Sequence, residues 1–310
     1  MTLLPPALFH ERNGRLSFEK TASFLGVFLP LAWLGWRVAV WDFGARPVSE
    51  AIHFTGLWAI RFLLLSLAVT PVRRLFHWPK LVLARRTIGL AALGYACLHL
   101  VLYAADQGWD LGRVASEIVL RFYLTIGALA LLMLMVLGAT SFNAAIRAMG
   151  GKRWNALHAT VYPIAIVAMA HFFIQSRLDV TEPVMMTGLL ALLLGYRLAF
   201  WRLRVLGPLG FALLSLAAGG FTALVEVAWY GLATGINPWL VAAANLDPAG
   251  GLSPAWWVTG TGLVVAAAAQ ARHWIAPPKP NKAGGKLAEK AGGKSADKSE
   301  GAARISPARG

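Results

Sequence analysis

The stretch 154-WNALHATVYPIAIVAMAHFFIQSR-177 decides the reading of the chain, because it is an apolar run of membrane-spanning length with a histidine near each end. His158 and His171 are thirteen residues apart. That is about 20 Å along a helix, against a hydrocarbon core of ~30 Å. The two imidazoles are therefore expected at opposite depths of one membrane. Neutral imidazole ligates haem iron without carrying charge into lipid. On an ideal helix the two rings point ~140° apart. Pro163 lies between them and removes the backbone bond to residue 159, so a kink there can turn one ring. A second run, 87-TIGLAALGYACLHLVLYA-104, carries His99. The expectation is that these helices clamp b-type haem.

Composition supports a membrane setting. The 310 residues are 57% hydrophobic and only 14% charged, far from a soluble average. The single cysteine, Cys97, allows no internal disulfide, and no Cys-x-x-Cys-His sequence occurs for covalent haem attachment. A net charge of +15 is read by position as a topology signal rather than as a nucleic-acid footprint, and no nucleic-acid partner is expected. The first apolar run, beginning near Ala22, is followed by no small-residue cleavage site and is expected to persist as a helix.

Eight apolar runs of spanning length are expected, at about 22–41, 53–70, 87–104, 118–139, 156–174, 183–200, 207–234 and 254–271. Their connections alternate in charge. Arg12, Arg15 and Lys20, then Arg73, Arg74, Lys80, Arg85 and Arg86, then Arg147, Lys152 and Arg153, then Arg197, Arg202 and Arg204 mark one side. The other side carries acidic or mixed connections, such as Asp42 with Glu50, Asp106 with Asp110, and Arg177 with Asp179 and Glu182. By the positive-inside rule both termini are expected in the cytoplasm. Trp41, Trp109, Trp239, Trp256 and Trp257 fall at outer ends, and Trp78, Trp154, Trp201 and Trp274 at inner ends, as interface anchors. After Pro277 the chain becomes rich in Gly, Ala and Lys, with Lys-Ala-Gly-Gly-Lys at 282–286 and 290–294. Such a tail is expected to be disordered. The organisation is thus an N-terminal cytoplasmic segment (1–21), a haem-binding transmembrane domain (22–204), additional helices (205–276) and a basic tail (277–310).

With the termini inside, the third and fifth helices run the same way. His99 lies twelve residues past Thr87 and His171 fifteen past Ala156, so both belong to the outer half at similar depth. They can ligate one haem between them, with His158 at the inner edge. His53, His77, His10 and His273 are weaker candidates. Intramembrane charge needs a partner. Arg61 is expected to meet a haem propionate or Glu226, whereas Arg37 and Arg121 either hold propionates or snorkel to headgroups.

The segments 53-HFTGLWAIRFLLLSLAVTPVRR-74, 85-RRTIGLAALGYACLHLVLY-103 and 151-GKRWNALHATVYPIAIVAMAHFF-173 closely resemble the haem-binding membrane subunits of the periplasmic protein-methionine-sulfoxide reductase system (the MsrQ/YedZ family). That family lies within the ferric-reductase-like transmembrane superfamily. The resemblance covers about residues 15–204. It implies an all-α polytopic bundle with a six-helix core, here followed by two extra C-terminal helices, in a bacterial inner membrane. It also implies an electron carrier fed from the quinone pool that serves a periplasmic molybdenum-cofactor subunit repairing methionine sulfoxide in envelope proteins. Haem b, and also FMN, come with the resemblance, and the matching histidines are His99, His158 and His171. Two-haem members of the superfamily place two histidines on each of two helices. Here Arg85 stands fourteen positions before His99, so one haem is expected and two is the alternative count.

No G-x-G-x-x-G follows a strand pattern, and no folded nicotinamide domain is expected after the helices. Electrons must then come from a membrane quinol or a separate flavin reductase. The inner cluster Arg73, Arg74, Arg85 and Arg86 suits a flavin phosphate but is equally explained by topology. Two other functions compete. One is a stand-alone ferric, metal or quinone reductase fed by a separate flavin reductase. The other is a transporter or scaffold whose histidines move protons or pack.

Overall fold

The computed structural model describes residues 16–176, 179–247, 249 and 251–276. The expectations for residues 1–15, for Arg177 and for the basic tail lie outside them. The chain divides into two compact units, Met1–Gln270 and Ala271–Gly310, and His99, His158 and His171 all belong to the first. Among the described residues there are twelve α-helices and no strand. They are α1 (Phe18–Ala39), α2 (Pro47–Leu75), α3 (Ala84–Asp106), α4 (Leu111–Leu120), α5 (Phe122–Ala139), α6 (Asn143–Met149), α7 (Gly151–Ala159), α8 (Val161–Ser176), α9 (Thr181–Leu203), α10 (Pro208–Trp229), α11 (Pro238–Leu246) and α12 (Pro254–Ile275).

Seven helical segments are long and apolar enough to cross a membrane: Phe18–Ala39, Pro47–Leu75, Pro79–Asp106, Phe122–Ala139, Gly151–Ser176, Thr181–Leu203 and Pro208–Thr234. The eighth expected run does form a 22-residue helix, α12. Its paired tryptophans, threonines and Gln270 keep it less apolar than the seven. Two expected runs are interrupted. The fourth breaks at Arg121 (φ −106°, ψ 106°), where Arg121 pairs with Glu117 and the chain turns from the amphipathic α4 into α5.

The fifth run breaks at Thr160, four residues after Ala156 and three before Pro163. Pro163 has no N–H for the carbonyl of Ala159, so the helix tightens there and the Thr160 N–H turns to Leu157 O at 3.0 Å. His158 and His171 consequently belong to different helices, α7 and α8. The single straight helix assumed for their 140° offset does not exist.

Two other prolines are stitched by side chains from neighbouring helices. In α2, Pro71 cannot bond the carbonyl of Leu67. Arg197 of α9 donates to that oxygen at 2.8 Å while also reaching Tyr162 Oη (2.8 Å) and Leu193 O (3.0 Å). In α1, near Pro30, the hydroxyl of Tyr95 enters the helical ladder, donating to Val27 O (2.8 Å) and accepting from Leu31 N (3.1 Å). Arg197 thereby supplies the donor that Pro71 lacks, and Tyr95 ties the Pro30 segment of α1 to α3.

The core has two adjoining apolar clusters. One is built from α2, α3, α5, α8 and α9 around Leu67, Ala92, Ile164 and Ala165. The other, from α9, α10 and α12, is centred on Tyr196, Phe211 and Val258. Helix α9 is the shared wall, giving Leu190 and Leu193 to the first and Leu192 and Tyr196 to the second.

Candidate functional site

His99 sits near the C-terminal end of α3 and His171 near that of α8, both toward the end of the bundle away from the Lys- and Arg-rich connections. The structure brings them together. Their ring centres are 6.5 Å apart and their planes cross at 84°. Both line one cavity between α2, α3, α5 and α8, whose remaining wall is mostly aliphatic.

Each ring is fixed from behind by a backbone carbonyl. His99 Nδ1 lies 2.8 Å from Ile52 O on α2, and His171 Nδ1 lies 2.7 Å from Tyr123 O on α5. A carbonyl oxygen can only accept, so in both rings Nδ1 carries the proton. The neutral tautomer that remains has its lone pair on Nε2. This is the arrangement of a metal-binding histidine whose second nitrogen is held by a backbone acceptor.

The separation agrees with one metal between the rings. Metal–imidazole bonds of about 2 Å on each side, plus about 1.1 Å from nitrogen to ring centre, place the centres ~6.2 Å apart. Among the described residues no three His, Cys, Asp or Glu side chains converge. Two imidazoles with Nε2 uncommitted suit an ion whose other ligands come from a macrocycle, as in haem.

His158 is placed elsewhere. It lines a second cavity at the basic end with Trp154, Arg85, Arg86, Ser66 and Ser141, and no other histidine among the described residues lines that cavity. Trp154 stacks on the His158 ring at 3.9 Å. Thr140 Oγ1 gives its proton to Val136 O (2.8 Å), so the 3.1 Å contact with His158 Nε2 has the ring nitrogen donating. The nitrogen that would face a metal is thus already engaged. Leu63 and Leu134 line both cavities and stand between them.

The arginines are used differently from the expectation. Arg61 does not meet Glu226: it pairs with Glu182 of α9 at 3.0 Å and lies over the Trp58 ring. The reason is geometric, since the guanidinium leaves α2 on the side facing α9 and lines an outer groove with Trp33, Trp36 and Trp58 rather than the histidine cavity. Glu226 instead accepts from Asn245 at 3.0 Å. Arg37 is held by Asp42 and Glu50, each at 3.2 Å. Arg121 binds Glu117 and reaches the Tyr123 hydroxyl at 3.2 Å. That hydrogen bond, and then the Glu117 carboxylate, raise the pKa of Arg121.

Sequence reasoning missed three contributors to this site. His53, set aside as a weak candidate, lines the histidine cavity. The carbonyls of Ile52 and Tyr123 orient the rings, and no side-chain signal marks a backbone oxygen.

Comparison with known proteins gives a consistent result. The family model described as "Ferric reductase like transmembrane component" matches residues 55–169, a span that includes both His99 and His158. The chain is 42% identical over 189 residues to the protein-methionine-sulfoxide reductase heme-binding subunit MsrQ of Rhodospirillum rubrum, covering 61% of this chain and 88% of that protein. It is 40% identical over 204 residues to the MsrQ of Azospira oryzae, covering 64% and 86%, and 41% identical over 187 residues to that of Xanthomonas campestris, covering 57% and 84%. No solved structure matches the chain.

Proposed function

Since the chain belongs to the family of protein-methionine-sulfoxide reductase heme-binding subunits MsrQ, we propose that it carries electrons across a bacterial inner membrane to a periplasmic, molybdenum-containing methionine sulfoxide reductase. As a member of that family it is a multi-pass membrane protein and the haem-binding component of the reductase system. In the finer reading, His99 and His171 hold a single b-type haem, and His158 holds none.

The observation that carries this reading is the pair of imidazoles 6.5 Å apart in one cavity, with Nδ1 of each anchored on a backbone carbonyl. Haem supplies one-electron chemistry when bound. The chain's own residues fix the two imidazoles and surround them with a mostly apolar wall. If His99 and His171 both ligate the haem iron, no position would stay open for oxygen, which would favour electron transfer over oxygen activation.

The basic end is assigned to the cytoplasm. A membrane quinol, or a flavin such as FMN supplied through a separate flavin reductase, is assigned to the cavity there, where Arg85, Arg86, Ser66 and Ser141 offer polar groups beside Trp154. Leu63 and Leu134 are shared by this cavity and the histidine cavity, so the two adjoin.

A reduced-minus-oxidised absorption spectrum of the purified protein tests the haem assignment. A b-type band that disappears in both His99→Ala and His171→Ala supports it, and retention of the full band in either variant defeats it. Co-purification with a periplasmic molybdoprotein, and haem reoxidation by that protein plus methionine sulfoxide, test the partner. Reoxidation by ferric chelates but not by the molybdoprotein would favour the stand-alone reductase.

A further inference from the structure

Each ligand histidine lies against a glycine as well as a carbonyl, and the two arrangements are alike. His99 meets the carbonyl of Ile52 and the backbone of Gly56 on α2. His171 meets the carbonyl of Tyr123 and the backbone of Gly127 on α5. In both cases the glycine stands four residues after the acceptor.

That spacing has a physical cause. Carbonyls in an α-helix point toward its C-terminus, so the oxygen of residue i lies beneath the side chain of residue i+4. A ring approaching from a neighbouring helix reaches that oxygen only where residue i+4 leaves room. A Cβ at Gly56 would fall 2.9 Å from His99 Nδ1 and 3.1 Å from Cε1. At Gly127 it would fall 2.7 Å from His171 Nδ1 and 2.8 Å from Cε1. Both are inside van der Waals contact at the atom that makes the anchoring hydrogen bond. A histidine against the notch is not general to the spans: at Gly94 of α3 a Cβ would meet nothing within 4 Å, and at Gly138 of α5 it would meet the Leu93 side chain instead.

We propose that Gly56 and Gly127 are positioning residues for the axial ligands, paired notches that admit the two imidazoles to backbone carbonyls and hold their planes crosswise, 84° apart. The proposal rests on the haem reading above. A methyl group in either notch must rotate the ring about its χ2 or lengthen the hydrogen bond from Nδ1–H to the carbonyl oxygen. Rotation alters the angle between the axial planes, and a weaker bond lowers the basicity of Nε2 toward iron.

Crossed imidazole planes leave two ferric d orbitals almost equal in energy, which produces a low-spin electron paramagnetic resonance signal dominated by one large g value. Parallel planes give an ordinary rhombic signal instead. The test compares the full-length wild type with Gly56→Ala, Gly127→Ala and the control Gly94→Ala by haem content, midpoint potential and low-temperature resonance spectrum. The wild type and Gly94→Ala are expected to share the strongly anisotropic signal. Gly56→Ala and Gly127→Ala are expected either to retain haem about 10-fold more weakly or to show a rhombic signal and a shifted potential.

Wild-type values for all three readouts in both notch variants would overturn the proposal, as would a rhombic signal in the wild type. A rhombic wild-type resonance spectrum overturns the proposal even if neither variant folds, and Gly56→Ser and Gly127→Ser, which also place a Cβ in the notch, can be read by the same three measurements in that case. A pigmented wild type with unaltered variants defeats only this inference, whereas a wild type without any b-type band defeats the haem reading beneath it.

Discussion

Close helix approach is achieved with glycine in two regions of the molecule, to different ends. Among α2, α3, α5 and α8, Gly56 and Gly127 make room for imidazoles whose Nδ1 atoms bond across to a neighbouring helix. Among α9, α10 and α12, Gly188 makes room for Thr222, Gly219 for Thr259 and Gly262 for Ser215. There the hydroxyls of Thr222 and Ser215 are spent on carbonyls of their own helix, Ala218 and Phe211, each at 2.7 Å. The C-terminal contacts are therefore of the small-residue packing kind that brings membrane helices together. In the histidine region each ring keeps a nitrogen, Nε2, that no backbone anchor uses. Similar notches thus serve packing at Gly188, Gly219 and Gly262, and at Gly138 against Leu93, and leave an uncommitted ring nitrogen only at Gly56 and Gly127.

Substitutions can break or sharpen that contrast. The largest effect is expected for His99→Ala and His171→Ala, which should abolish the b-type band in absorption spectra while far-ultraviolet circular dichroism keeps the helical signal. Next comes Gly219→Ala, where the added methyl collides with Thr259. Overpacking there should lower stability by about 1–3 kcal/mol, seen as a lower detergent-solution Tm, with haem content per folded protein unchanged. Loss of haem in this variant without loss of stability would erase the distinction between the regions.

Tyr95→Phe removes the hydroxyl that bridges Val27 O and Leu31 N. A cost of about 1–3 kcal/mol is expected for the exposed backbone pair, again with an unaltered spectrum. The smallest effects on the pigment are expected for His158→Ala and Arg61→Ala, both of which should leave haem content and midpoint potential near wild type. Their side chains are committed to Thr140 and to Glu182 respectively. Loss of half of the haem in His158→Ala would establish a second site at the basic end.

Much of the fold was legible because lipid imposes a simple rule: spanning segments must be apolar and helical. The runs around His99 and His171 carry that signal plainly, and the tryptophans at their ends reinforce it. The breaks at Arg121 and Thr160 were harder to read. A hydropathy window averages over them, although Pro163 identified Ala159 as the carbonyl that would lose its donor. Partner choice was less legible still. For Arg61 the sequence suggested a haem propionate or Glu226, and only the direction in which it leaves α2 selects Glu182.

From the sequence alone came the helical membrane character of the chain, the family resemblance, and the pairing of His99 with His171 by matching depth, because length, hydropathy and the 1.5 Å helical rise are local properties of a chain. The tertiary structure alone decided which nitrogen of each ring is left unspent, how the planes cross, and why glycine stands at 56 and 127. Those depend on backbone oxygens of other helices, contributed from 47 and 48 residues away. A backbone carbonyl is present at every position of a sequence, and only packing determines which of them an imidazole reaches.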